Sequence, residues 1–97
     1  MRISDFEKKT IVSAVQSVDK DASVWLFGSR TDDKKRGGDI DIAILSNKIK
    51  DDVMEEIKVR RFICDKIGEQ QIDIVSSGPD QQSAFFKSAV KEGIKLN

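Results

Sequence analysis

Histidine is absent from this 97-residue chain, which excludes histidine-based triads and the usual zinc sites. Carboxylates, hydroxyls and cations are left to carry any chemistry. Cysteine occurs once, at Cys64, so no internal disulfide can form, and its place in an amphipathic helical pattern predicts a buried, inert thiol. Net charge is missing too. The 17 basic and 17 acidic residues cancel, so no overall field draws in nucleic acid or an anionic membrane, and any polyanion site has to be local. No apolar run has the length of a signal peptide or a membrane span. Together these absences predict a soluble protein of a reducing, cytoplasmic compartment. The length bounds it to one domain, residues 1–97, with a single core and no second catalytic lobe.

The pattern that is present alternates helices and strands. Ser4-Asp5-Phe6-Glu7 has capping-box spacing, and Phe6, Ile11, Ala14, Val15 and Val18 continue it as one helical face. Val24–Phe27 is an apolar, strand-forming run whose two faces both look covered, as in a central or near-central strand. Asp39–Leu45 alternates acidic and apolar residues with the period of a second strand. Asp51 or Asp52 can cap a second helix with Val53, Ile57, Cys64 and Ile67 inward and Gly68 as its stop. Gln71–Val75 repeats the acid-between-isoleucines pattern. Pro79, the chain's one proline, suits the first position of a last helix whose line is Phe85, Ser88, Ala89 and Glu92. The terminal Ile94–Asn97 either frays or adds a short edge strand. The predicted class is α/β or α+β, a small mixed sheet flanked by helices.

Chemistry concentrates in Phe27–Ile42 and one later strand. Gly28-Ser29 ends the first strand in a turn where backbone amides and a hydroxyl can approach a phosphate closely. Between it and the next strand lies a charged loop containing Lys34, Lys35 and Arg36, and Gly37-Gly38 then supplies a sharp turn. Charge runs of this kind are most often solvated surface. Asp39 and Asp41 fall on one face of their strand, and Asp73 lies between isoleucines on another. Carboxylates held side by side repel one another, so a divalent cation is the economical reason for placing them so. Magnesium suits an all-oxygen site completed by phosphate and water. Two such ions about 3.5–4 Å apart are the usual equipment for phosphoryl-type transfer. Arg60 and Arg61, in mid-helix, can face solvent or an anion.

Gly28-Ser29, nine intervening residues, Asp39-Ile40-Asp41, and Asp73 after a helix resemble the defining pattern of the DNA polymerase β-type nucleotidyltransferase superfamily, and specifically its minimal nucleotidyltransferase (MNT) members. The resemblance covers nearly the whole chain and implies the palm-like nucleotidyltransferase fold without the extra domains of larger relatives. It implies transfer of a nucleoside monophosphate, usually AMP from ATP, to an acceptor hydroxyl with loss of pyrophosphate. By that likeness Asp39 and Asp41 hold two magnesium ions, Asp73 binds one and helps deprotonate the acceptor, and Gly28 and Ser29 hold the triphosphate. Arg30, following the Gly-Ser pair, is a further phosphate contact. Many MNT proteins resemble antitoxins encoded beside a small helical HEPN protein, which they neutralise by binding or by adding AMP to a tyrosine. The likeness thus implies a separate HEPN-type partner. Without a basic groove or second lobe, nucleic acid is not the expected direct substrate.

Overall fold

A computed structural model describes residues 3–28 and 39–97. Helix α1 (Asp5–Val18) begins with the expected capping box: Ser4 Oγ accepts from the Glu7 amide, and Glu7 Oε1 accepts from the Ser4 amide. Strands β1 (Ser23–Phe27) and β2 (Ile40–Leu45) pair antiparallel. Helix α2 (Val53–Ile67) then carries the chain to β3 (Ile72–Ser77), which pairs with β2 in parallel. Parallel neighbours require such a crossover. Helix α3 (Ala84–Glu92) leads to β4 (Ile94–Lys95), a two-residue edge strand antiparallel to β1. The sheet order is β3-β2-β1-β4. This is a small α+β fold with a four-stranded mixed sheet, and β1 and β2 are its central strands.

Alternation along the strands divides the sheet into two covered faces. Val24, Leu26, Ile40, Ile42, Ile44 and Ile72 point to α1 and α2, where Ile11, Ala14, Val15, Val59 and Ile63 close the main core. On the other face, Phe86 and Ala89 of α3 pack on Ala43 with Trp25, Phe27, Leu45 and Val75 around them. The end of α1 is tied to the end of β2 by a buried contact, Ser46 Oγ donating to Asp19 Oδ2 at 2.7 Å. Ser46 Oγ in turn accepts from the Lys48 and Ile49 amides.

Three helix faces differ from the sequence expectation. Phe6 is exposed, and the buried line of α1 starts at Thr10 and Ile11, because α2 and the sheet cover only the later turns. Asp52 caps α2, but Val53 and Ile57 are exposed; Val59 and Ile63 face inward, with Cys64 and Ile67 half-buried beside them. Val53 and Ile57 lie on a side of α2 that none of the described elements covers. Helix α3 starts at Ala84, capped by Ser83 Oγ accepting from the Phe86 amide, and not at Pro79. Its inner residues are Phe86 and Ala89, which leaves Phe85, Ser88 and Glu92 exposed. The cysteine thiol is half-buried, with Sγ 3.7 Å from the Gln70 carbonyl.

Candidate active site

Asp41 lies on the α3 face of β2, one residue from Ile40 and Ile42 on the core face. The parallel register sets it directly beside Asp73, and the antiparallel register sets Phe27 beside it on the other flank. Phe27, Asp41 and Asp73 therefore form one row across three strands, at roughly the 4.8 Å spacing of neighbouring chains. At that distance the carboxyl groups of Asp41 and Asp73 interact directly. Gln71 Nε2, from the residue just before β3, donates to Asp73 Oδ1 at 3.1 Å and orients it. Asp39, exposed, stands just ahead of β2.

The electrostatics follow from that row. Partial burial strips water from Asp41, and repulsion by Asp73, the hydrogen bond with Asp73 and repulsion by Asp39 add to the effect; its carboxyl is pushed up to about 6. Two of the three acids are thus in contact and the third adds charge from the strand entry. Among the described residues no set of three acidic or cysteine side chains is already arranged to ligate one ion.

Gly28 completes the described part of the site. It follows Phe27 and has φ +76, a left-handed conformation open to glycine, and a Cβ there would collide with Oδ2 of Asp41. The turn backbone and the carboxylate thus lie against each other because residue 28 has no side chain. Ser29, Arg30, Lys34, Lys35, Arg36 and the Gly37-Gly38 turn lie outside the described residues.

The donors suit a hard divalent cation: they are all carboxylate oxygens, and their mutual repulsion is what a bound cation would relieve. A cavity of about 620 Å³ lies elsewhere. Lined by Asn47, Lys50, Ser77 and Ser83 among others, it sits at the C-terminal end of β3, while Asp73 is near the N-terminal end. Arg60 is half-buried. Its Nε donates to the Ile72 carbonyl at 2.9 Å, on the outer edge of β3, while Arg61 is exposed. Two further residues border the site that the motif reading did not include, Phe27 and Phe85, whose rings meet edge to face. Hairpin register could have brought Phe27 to Asp41, but nothing local marks Phe85.

The family model described as "Polymerase beta, Nucleotidyltransferase" matches residues 9–97. No curated protein matches the chain significantly. No helix among the described residues is long and apolar enough to cross a membrane.

Proposed function

Because this chain belongs to the polymerase β nucleotidyltransferase family, whose substrates are nucleoside triphosphates, we propose that it is a magnesium-dependent nucleotidyltransferase that moves AMP from ATP to a hydroxyl on a partner protein. The proposal extends to an antitoxin role in an MNT–HEPN pair, the partner being a separate small helical HEPN-type chain. The observation that carries the catalytic part is the Asp41–Asp73 rung, with the side-chain-free turn at Gly28 against it.

In this reading Asp39, Asp41 and Asp73 would hold the magnesium, which when bound supplies charge neutralisation to the triphosphate and acidifies the attacking hydroxyl. Gly28 lets the phosphates approach the turn, and Ser29 and Arg30 would supply a hydroxyl and a guanidinium to them. Asp73 accepts the proton as the acceptor oxygen attacks the α-phosphorus. The bond from that phosphorus to the bridging oxygen breaks and pyrophosphate leaves. Incubation with α-labelled ATP, magnesium and the protein encoded beside this chain tests the assignment. Label on that neighbour is expected; label on no protein would weigh against the enzyme.

A second reading is favoured by a specific surface. Val53, Met54 and Ile57 are exposed together at the start of α2, where a binding module could grip and silence a partner without turnover. The two readings separate in the same experiment, since a steric antitoxin neutralises its partner with Asp41 replaced by Asn. Transfer to RNA or to a small molecule is the third possibility, and unlabelled protein beside a labelled acceptor of that kind would identify it.

A further inference from the structure

Phe85 is 63% exposed, whereas its neighbour Phe86 is 1% exposed in the small core on the α3 face. Phe86, Ala89 and Val90 already supply the sheet-facing side of α3, so the Phe85 ring is not needed to seat the helix. It is held all the same. Phe27 meets it edge to face, with centroids 6.1 Å apart and planes at 79°. Phe27 is the cross-strand neighbour of Asp41, on the same face of the sheet. A large exposed aromatic ring is therefore anchored one paired residue away from the acidic row. The other exposed apolar side chains of the helices, Phe6, Val53, Met54 and Ile57, belong to α1 and α2 on the opposite layer.

We propose that Phe85 is the stacking platform for the base of the bound nucleotide, with Phe27 fixing its orientation and the Asp41–Asp73 rung receiving the phosphate end. This rests on the nucleotidyltransferase reading and adds to it the means by which so small a domain holds a base. Every base has a π-face, so the platform tolerates all four, but a purine offers the larger overlap. ATP and GTP should bind ahead of CTP and UTP.

The test is titration calorimetry of the full chain with magnesium present, comparing ATP with inorganic tripolyphosphate, which has the phosphates and no base. Phe85→Ala should weaken ATP by on the order of tenfold to a hundredfold, the range of one lost base stack. Tripolyphosphate affinity should not change. Phe85→Trp should restore ATP binding, and its added indole fluorescence should be quenched by ATP beyond the Trp25 background. The ring's exposure makes both variants safe to fold, which a thermal melt checks. ATP binding undiminished in Phe85→Ala, or equal losses for ATP and tripolyphosphate, would overturn the platform while leaving the nucleotidyltransferase reading in place. A wild-type chain that binds neither ligand would overturn both.

Discussion

Asp41 and Asp73 stand on the same rung of the parallel β2–β3 ladder, although all of α2 separates them along the chain. Neither residue is placed there by its local segment. Without a cation, a proton is the only thing that can relieve the pair, and the raised Asp41 pKa is the sign of it. Desolvation is its first cause and Asp73 its second.

Asp41→Asn should therefore abolish transfer while leaving the fold as stable as the wild type or more so at neutral pH. The sign follows from linkage. Between the ordinary carboxylate value of 3.8 and about 6 the folded state holds a proton that the unfolded state has lost, so stability falls as pH rises through that window. Denaturant melts from about pH 4 to 7 should show this decline, on the order of 1 kcal/mol after solvent screening. The variant should lack it. A decline of the same size in Asp41→Asn would remove Asp41 as its source.

Asp73→Asn separates alignment from ligation. If Asp73 chiefly takes the acceptor proton, the variant keeps most of its magnesium–ATP affinity and loses transfer by about a hundred- to ten-thousandfold. Asp39→Asn should instead lose nucleotide affinity. Calorimetry and labelled transfer on the same preparations give both numbers, and near-normal transfer in Asp73→Asn would take it out of the site.

Gly28→Ala tests the turn against the carboxylate. The backbone conformation alone costs about 1–2 kcal/mol for a side-chain-bearing residue. Gly28→Ala should lose more than that, and magnesium–nucleotide should stabilise the variant much less than the wild type in thermal melts. A loss no larger than the backbone cost would mean that Asp41 yields freely.

Asp19 should set part of the acid limit of the fold. Its carboxylate accepts from Ser46 Oγ and from the Asp21 amide, and these bonds, the Ser46 one first, hold its pKa below the ordinary value. Stability from this group is complete above the unfolded pKa and is lost as pH falls through the lower folded one. Asp19→Ala should cost about 1–3 kcal/mol at neutral pH by leaving the buried Ser46 hydroxyl without its acceptor. The deficit should shrink as pH falls below the ordinary carboxylate value of 3.8 in acid-unfolding curves, and a pH-independent deficit would point to packing instead.

What could be read from the sequence was whatever is decided within a few residues. The Ser4–Glu7 capping box, the Asp52 cap and the two-residue period of β2 are local, and each is found as expected. The order of Gly28, Asp39, Asp41 and Asp73 was legible for the same reason, and with it the family. Helix faces were less so. Val53 and Ile57 are as apolar as Val59 and Ile63, and only the presence of α1 and the sheet on one side decides which pair is buried. The rung was beyond local reading altogether. A slip of one residue in the β2–β3 register would put Asp73 beside Ile40 or Ile42, on the other face, so the meeting of Asp41 with Asp73 is a property of how two distant strands pair. The neighbourhood of Phe85 and Phe27 has the same origin. Composition and spacing determined which chemical groups this protein owns, and the tertiary pairing of β1, β2, β3 and α3 decided which of them touch, because contact between distant segments depends on register and packing that no single segment encodes.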